Sequence, residues 1–307
     1  MTPVAIFVYN RPDTTRLTLE ALSRNTLAAQ TDVIVFSDGG KDKRSWAQVE
    51  AVRNYVRSVP DGWFKSLTLV ERSENYYLER NITEGIAQVF RQYDSVVVLE
   101  DDIVSSPYLL QYMNDALTLY RDEPRVMHVA GFTFVLAPVA SDFYFTPQMT
   151  GYGCWATWRD RWQQHFRHFE SEAEALSGMT ESQRRAIEYD GAFPCLRFLK
   201  RTPIPWDICW GIAIRKADGL SLSPAQPLVR NIGLYQGTHF HTSRLIQWYE
   251  FDREPLLRPV RLEKVEPHAD PACEAAFAHA IRDWGIRYTW LGRIARTVWH
   301  WFHGRRK

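Results

Sequence analysis

Residues 94–104, which read DSVVVLEDDIV, constrain the fold more than any other part of this 307-residue chain. The unbroken aliphatic run at 96–99 predicts a strand that is buried on both faces of a parallel sheet. Glu100, Asp101 and Asp102 follow at once, and open α/β sheets hold their ligands at the carboxyl ends of their strands. Three adjacent carboxylates repel one another unless a cation lies between them. A divalent cation that also binds substrate phosphates would meet this need. An acidic turn after a core strand is the alternative, and the position after the most hydrophobic strand favours the ligand site.

The segments around this strand alternate between strand and helix patterns, which predicts an α/β fold. Strands are expected at 3–9, 31–36, 67–71, 126–131, 143–147, 220–224 and 228–231. Helices are expected at 15–24, 45–58, 83–93, 107–120, 159–169 and within the charged stretch 170–188. Residues 75–80 are predicted to form a polar, aromatic loop, and either Asp13 or Thr14 to cap the first helix.

Composition excludes several classes of protein. The net charge of +1 carries no nucleic-acid signature, so no nucleic-acid partner is expected. No stretch reaches the roughly 18 apolar residues of a membrane span, and the first residues do not resemble a signal peptide. The four cysteines show no C-x-x-C spacing, which favours reduced, mostly buried thiols in a cytosolic protein over zinc ligands or disulfides. The expectation is a soluble or peripheral protein.

Two further polar residues follow the first two predicted strands. Arg11 lies in the turn after the first strand, where it would meet a phosphate group; a surface loop arginine is the equal alternative. Asp38 precedes two glycines after the second strand, where it would accept a hydrogen bond from a base or a ribose. Taken alone, Asp38 fits a turn aspartate better.

Three stretches of the second half carry candidate chemistry. Residues 150–158, TGYGCWATW, interleave small and aromatic residues, which suits either a sugar-binding wall or a tightly packed aromatic core. In 203–210, PIPWDICW, two tryptophans flank Asp207. A carboxylate walled by aromatics suits a general base, and a helix N-cap is the alternative. His239 and His241 lie in a glycine-containing loop, where either imidazole would complete a metal shell or serve a structural role.

The C-terminal stretch 284–307 holds basic residues and no acid. On a helix, its aromatic and aliphatic residues fall on one stripe and most basic residues fall elsewhere. This pattern predicts an amphipathic helix that binds an anionic membrane surface. A helix that docks on the body of the protein is the alternative.

Taken together, these stretches resemble the GT-A glycosyltransferases, most closely the N-acetylglucosaminyltransferase I type and bacterial family-2-like sugar transferases. The resemblance covers roughly residues 3–241. It is strongest where the helix pattern GIAQVFRQY at 85–93 runs into VVVLEDDI at 96–103. The segment GYGCW at 151–155 and the pair Trp206-Asp207 add to it. The implied fold is a Rossmann-like mixed, mostly parallel central sheet flanked by helices, followed by the C-terminal amphipathic helix.

The resemblance also implies a set of roles. Asp102, with His239 as a second ligand, would hold Mn²⁺ or Mg²⁺. Glu100 and Asp101 would contact the sugar and ribose of a nucleotide-sugar donor, here expected to be a UDP-sugar. Asp38 would hold the uracil edge and Arg11 the diphosphate.

On the acceptor side, Asp207 would deprotonate a hydroxyl in an inverting displacement, with Tyr152, Trp155 and Trp206 lining the site. The acceptor would be a glycan or a lipid-linked saccharide. Metal ligation by a histidine near 239–241 is the part of the pattern that this sequence matches only loosely.

These implications divide the chain into a donor-binding half at 1–131, an acceptor-binding and catalytic half at 132–262, and a helical tail at 263–307. The predicted activity is metal-dependent sugar transfer in bacterial surface polysaccharide or lipopolysaccharide assembly, at the inner face of the cytoplasmic membrane. Two alternatives stay open. A nucleotidyltransferase would need a basic glycine-rich loop after the first strand, where this chain has Asn10-Arg11-Pro12. A membrane-docked carbohydrate-binding protein would be a transferase whose site has decayed.

Overall fold

The computed structural model describes residues 1–133, 138–149, 153–189, 191, 195–233 and 253–286. The strands in these ranges are β1 Val4–Val8, β2 Asp32–Ser37, β3 Ser66–Glu71, β4 Ser95–Glu100, β5 Ile103–Ser105, β6 Val126–Ala130, β7 Phe143–Thr146, β8 Cys154–Trp158, β9 Leu220–Pro224 and β10 Val229–Asn231. The helices are α1 Pro12–Ser23, α2 Lys43–Arg57, α3 Tyr77–Val89, α4 Leu109–Leu119, α5 Arg159–His165, α6 Glu172–Leu176, α7 Glu181–Ile187, α8 Trp206–Lys216 and α9 Pro271–Ile286.

Eight of these strands form one mixed sheet in the order β3-β2-β1-β4-β8-β6-β9-β7. The first four strands are mutually parallel, and β6 and β9 run in the same direction as they do. Strands β8 and β7 are antiparallel to their neighbours. The predicted mixed, mostly parallel sheet is therefore confirmed.

The pleat of β1 divides the core into two layers. Val4, Ile6 and Val8 pack in a cluster that also takes side chains of α1, α2 and α4. Ala5 and Phe7 point to the opposite face, where side chains of α3, α5 and α8 cover them. Both faces of the sheet are thus covered by helices, as the predicted fold class requires.

A small second sheet lies at the carboxyl end of β4. Strand β5 pairs with β10 in antiparallel register, with Ile103 opposite Asn231 and Ser105 opposite Val229. This two-stranded ribbon brings the segment that follows β10 next to the acidic triplet, which directly precedes β5.

The predicted start of α1 is wrong by three residues. Pro12 occupies the first helical position, where its fixed φ suits a helix start, so the N-cap is Arg11. Neither Asp13 nor Thr14 is the cap, because both already lie inside the first turn.

One other prediction also requires correction, and one stretch without a predicted secondary structure forms a strand. Within the predicted loop 75–80, the helix α3 already begins at Tyr77, which has a φ of 58°. Residues 154–158 form a sheet strand, β8, because their side chains are buried on both faces between β4 and β6.

None of the helices in the described part of the chain combines the length and apolar character that a membrane crossing requires. Helix α9 ends at Ile286 and so includes the first three residues of the predicted amphipathic stretch 284–307. The stretch 287–307, which carries most of the predicted amphipathic helix, lies outside the described residues.

Candidate active site

The acidic triplet lies where the sequence predicts it, at the carboxyl end of a central strand. Glu100 is the last residue of β4, opposite Phe7 of β1, and its backbone N–H donates to the Gly153 carbonyl at 2.9 Å. Asp101 and Asp102 form the turn into β5, and both are buried, at 3% and 6% exposure. A buried pair of adjacent carboxylates is costly unless cations or donors compensate for it.

Arg11 supplies part of this compensation. Its guanidinium forms an ion pair with Asp101, and its Nη1 lies 2.9 Å from Oδ2 of Asp102. Burial opposes the charge on Arg11, but the two carboxylates outweigh this effect and raise its pKa. The turn after β1 and the turn after β4 thus meet at one ion-paired centre.

One guanidinium does not neutralise three carboxylates. Burial, followed by the charges of Asp102 and Asp101, raises the pKa of Glu100 to about 8, and Arg11 only partly opposes this. Burial also raises the pKa of Asp101 to about 6, against the pull of Arg11. Full ionisation of the three carboxylates at neutral pH therefore requires positive charge in addition to that of Arg11.

Asp102 has a carboxylate oxygen that could bind a ligand. Its Oδ1 is buried and accepts no hydrogen bond from the described part of the chain. In the same described ranges no group of three or more His, Cys, Asp and Glu side chains converges on one point. A cation here would therefore take few ligands from these residues and the rest from substrate and water, as Mg²⁺ does at phosphate sites. The residues fit a divalent cation on these terms.

The chain after β10 packs directly on Asp102. The Ile232 N–H donates to the Asp102 carbonyl at 2.9 Å, and Asn231 accepts from the Gly233 N–H at 2.8 Å. A Cβ on Gly233 would lie 1.9 Å from Oδ2 of Asp102. Only a residue without a side chain fits at this position. His239 and His241 follow in a segment that lies outside the described residues, so metal ligation by His239 stays a prediction.

Asp38 lies at the end of β2 and is held by the loop before α3. Its Oδ1 accepts from the backbone N–H groups of Gly39 at 2.9 Å and Tyr76 at 2.6 Å, and its Oδ2 accepts from Asn75 Nδ2 at 3.1 Å. Burial raises the pKa of Asp38 despite these hydrogen bonds. The predicted contact with a base would have to use the remaining acceptor capacity of Oδ2. The prediction did not include Asn75 or Tyr76 as partners of Asp38.

Asp207 lies in the first turn of α8, and the N-cap is Pro205, two residues before it, so the N-cap alternative is wrong. Burial and the charges of Asp102 and Asp101 raise the pKa of Glu100, and the charge of Asp207 adds a smaller contribution in the same direction. Glu100 and Asp207 are more than a hundred residues apart in the sequence, and the fold brings them within electrostatic reach of each other.

Asp207 also lines a cavity of about 80 Å³. The walls of this cavity are mainly apolar and include Met149, Ile187, Ile208 and Ile212. Gln148 and Arg215 also line it and are polar. A carboxylate in such a wall can meet a substrate hydroxyl away from bulk water.

Trp155 lies in a buried aromatic core, the alternative that the sequence left open beside a sugar-binding wall, so direct acceptor contact by Trp155 is wrong. Trp155 is 1% exposed and stacks on Trp206 with ring centres 5.3 Å apart. His128 stacks on Trp155 as well, and the Trp210 indole N–H lies 3.3 Å from His128 Nδ1. Trp206 is 6% exposed and belongs to the same cluster. Tyr152 lies outside the described residues, and its acceptor role stays a prediction.

The small residue at 153 serves the packing of the sheet. Gly153 has a φ of +73°, and a Cβ there would lie 2.7 Å from Cδ1 of Ile103. Its carbonyl accepts the Glu100 N–H, so the close approach that the sequence predicted is to the acidic strand.

Sequence reasoning missed one acid near Asp207. Glu79 of α3 accepts the backbone N–H of Trp206 at 2.7 Å, although the sequence placed residues 75–80 in a loop. Burial, and then the charge of Asp207, raise the pKa of Glu79 to about 7, against the hydrogen bond from Trp206. The only signal in the sequence is an acidic residue in the first turn of the helix, and the predicted helix begins later, at residue 83.

Comparison with known sequences supports the first half of the site. Residues 4–123, from β1 to the turn after α4, match the model of glycosyl transferase family 2. The predicted resemblance to family-2-like sugar transferases is confirmed over this segment, and the match supports a glycosyl-transfer role. The segment contains Arg11, Asp38 and the acidic triplet, whereas Asp207 lies beyond it. No curated protein matches the chain.

Solved structures that resemble this chain include three proteins in complex with nucleotide sugars. A mannosyltransferase from Pyrobaculum calidifontis, in complex with GDP-Man and Mn²⁺, is 16% identical, with a TM-score of 0.41 over 71% of this chain and 74% of its own. S. aureus TarS 1–349 with UDP-GlcNAc is 15% identical, with a TM-score of 0.36 over 53% and 47%. A UDP-glucose pyrophosphorylase with UDP-glucose is 11% identical, with a TM-score of 0.38 over 75% and 92%. Likeness at this level does not distinguish one activity from another, and the specific likeness to the N-acetylglucosaminyltransferase I type stays a prediction.

Proposed function

We propose that this chain is a metal-dependent inverting glycosyltransferase that moves a sugar from a UDP-sugar to a hydroxyl group of a glycan or lipid-linked acceptor. One observation carries the proposal. In the segment that matches the glycosyl transferase family 2 model, three carboxylates lie at the end of a buried strand, and a buried oxygen of one of them, Asp102, accepts no hydrogen bond from the described residues. A divalent cation and the diphosphate that it binds complete such a site.

The donor side uses the residues that meet at the ends of β1, β2 and β4. Asp102 would hold Mn²⁺ or Mg²⁺, which when bound stabilises the negative charge of the departing diphosphate. Arg11 lies beside the same carboxylate and would bind a diphosphate oxygen once the cation shares Asp102. Glu100 and Asp101 would accept hydrogen bonds from sugar and ribose hydroxyls, and Asp38 from the uracil edge.

On the acceptor side, Asp207 would act as the general base. Its carboxylate takes the proton of the acceptor hydroxyl while the oxygen forms a bond to the anomeric carbon. The bond from that carbon to the diphosphate oxygen breaks in the same step, so one displacement inverts the anomeric centre. The cavity beside Asp207 would receive the part of the acceptor that carries this hydroxyl.

Calorimetric binding of UDP and of GDP, each with and without Mn²⁺, tests the donor site. We expect wild type to bind UDP only with the metal, Asp102→Asn to lose this binding, and the exposed control Asp122→Asn to keep it. Absence of metal-dependent binding of either nucleotide would refute the donor site, and binding of GDP alone would refute the UDP assignment.

Product analysis separates the proposal from nucleotidyl transfer. A glycosyltransferase converts a UDP-sugar to UDP, whereas a nucleotidyltransferase would make the UDP-sugar and pyrophosphate from UTP and a sugar 1-phosphate. With a competent acceptor, Asp207→Asn should bind donor as wild type does and lose at least about a hundredfold in kcat. A variant with near wild-type turnover would show that Asp207 is not the base.

We further propose a peripheral location at the inner face of the cytoplasmic membrane, in assembly of a bacterial surface polysaccharide or lipopolysaccharide. The basis is the basic, aromatic stretch 284–307. Deletion of 287–307 should release the protein from vesicles that contain anionic lipid and leave UDP binding intact. Equal vesicle binding by the full chain and the deletion variant would contradict this location.

A further inference from the structure

Glu79 joins two elements that are far apart in the sequence. It lies in the first turn of α3, and its Oε2 accepts the backbone N–H of Trp206, the first residue of α8, at 2.7 Å. The N-cap of α8 is Pro205, whose side chain has no hydrogen-bonding atom. The first turn of a helix leaves backbone N–H groups without partners, and α8 receives one of these partners from α3.

One oxygen of the Glu79 carboxylate is held by the Trp206 N–H, and the other is buried without a hydrogen bond from the described residues. Its side chain is 20% exposed, and His168 Nδ1 lies 3.2 Å from its Oε1. Asp207 is the other charged group that acts on it, and it also acts on Glu100 of the acidic triplet. Glu79 therefore lies next to the carboxylate whose position relative to the donor matters most.

The remaining contacts of the first turn of α8 fix the helix less directly. Trp206 stacks on Trp155, and a stacked pair of rings allows sliding in its plane. A hydrogen bond of 2.7 Å from backbone N–H to carboxylate defines one point along the helix axis. An anionic acceptor at this end also interacts favourably with the helix dipole.

We propose that Glu79 is a positioning residue, which caps α8 from α3 and thereby sets the place of Asp207 opposite the donor site. This inference rests on the proposed role of Asp207 as the base. Misplacement of a reacting group by about 1 Å costs up to about a hundredfold in rate, so the loss of one cap can reduce catalysis strongly without a change in donor binding.

Three variants test the proposal. Glu79→Gln keeps an oxygen that can accept the Trp206 N–H, Glu79→Ala removes it, and Glu84→Ala removes an exposed glutamate of the same helix whose partner is Arg80. For each, kcat and KM for the acceptor, the affinity for UDP with Mn²⁺, and backbone amide exchange in the peptide 204–210 are measured on the full chain.

We expect Glu79→Ala to lower kcat at least about tenfold, with UDP affinity unchanged and faster exchange in 204–210. Glu79→Gln should stay within about threefold of wild type in kcat, with wild-type exchange, and Glu84→Ala should match wild type. Wild-type kcat in Glu79→Ala, or an equal loss in Glu79→Gln and Glu79→Ala, would overturn the proposal.

The exchange measurement separates this proposal from the proposed function. If wild type transfers no sugar, the function fails, and the cap is judged by exchange alone. Faster exchange in Glu79→Ala than in Glu79→Gln would support the cap, and equal exchange in wild type and both variants would overturn it.

Discussion

Gly233→Ala should disturb the acidic site from a position 131 residues away from Asp102 in the sequence. The added Cβ would lie 1.9 Å from Asp102 Oδ2, 2.7 Å from its Cγ and 3.0 Å from Arg11 Nη1. Non-bonded carbon contacts are normally near 3.5 Å, so either the loop or the ion pair must move by roughly 1.5 Å. Neither is flexible, because Asp102 is buried and the loop hydrogen-bonds to it through the Ile232 N–H.

The cost follows from this displacement. Overpacking in a filled site costs about 1–3 kcal/mol, which corresponds to a fall in Tm of roughly 2–10 °C for a chain of this size. Displacement of the Asp102 carboxylate should also weaken metal-dependent UDP binding by about 10–100-fold, as changes next to a metal ligand do.

Thermal denaturation and calorimetry of Gly233→Ala measure these two effects. Gly211→Ala is the matched control, since its nearest neighbour, Met149 Cβ, lies at an ordinary 3.8 Å. It should keep or raise Tm, because alanine is the better helix former, and bind UDP as wild type does. If Gly233→Ala had wild-type Tm and wild-type UDP affinity, the packing of residues 231–233 on Asp102 would be refuted.

Three further predictions follow from burial. Trp155→Ala should lower the free energy of unfolding by about 3–5 kcal/mol in a denaturant titration, and half-buried Trp63→Ala by clearly less; equal effects would contradict the buried position of Trp155. The folded pKa of Glu79, about 7, exceeds its ordinary 4.5, so the folded state binds this proton more tightly and its contribution to stability falls as pH rises from about 4.5 to 7. Glu79→Gln should therefore flatten that part of the stability-pH curve by up to about 3 kcal/mol, and an unchanged curve would show that Glu79 is not shifted. Burial raises the pKa of all four cysteine thiols, so a chromogenic disulfide reagent at pH 8 should find no fast thiol in the folded protein and four after denaturation; one fast thiol would contradict this.

The part of the candidate site at the ends of β1, β2 and β4 was predictable from the sequence because its signals are local. The run 96–99 and the acids after it identify a buried strand and its carboxyl end, and parallel strands bring such ends to one edge. Arg11 and Asp38 follow their own strands in the same way. The ion pair between Arg11 and the triplet agrees with that reasoning, although the sequence left a surface arginine as an equal alternative.

The part of the candidate site around Asp207 was less predictable because its signals depend on tertiary partners. Buried Trp155 and a sugar-stacking tryptophan have the same local pattern, and only the neighbouring strands distinguish them. Glu79 was missed for a similar reason: its partner, the Trp206 N–H, lies 127 residues further along the chain. When the capping side chain belongs to another element, the sequence at the start of the capped helix contains no capping motif.

The burial of Trp155 changes its role without removing it from the site. Its strand β8 is inserted antiparallel between β4 and β6, with Trp155 directly opposite Val98 of the acidic strand. Two residues before Trp155, the Gly153 carbonyl accepts the N–H of Glu100, while the Trp155 ring stacks on Trp206, next to Asp207. The segment 153–155 therefore contacts Glu100 of the acidic triplet through its backbone and the helix of the candidate base through the Trp155 side chain. The stack supports α8 against the sheet and allows sliding in its plane, whereas the hydrogen bond from the Trp206 N–H to Glu79 fixes one point along the helix axis. Trp155 and Glu79 therefore support α8 in different directions.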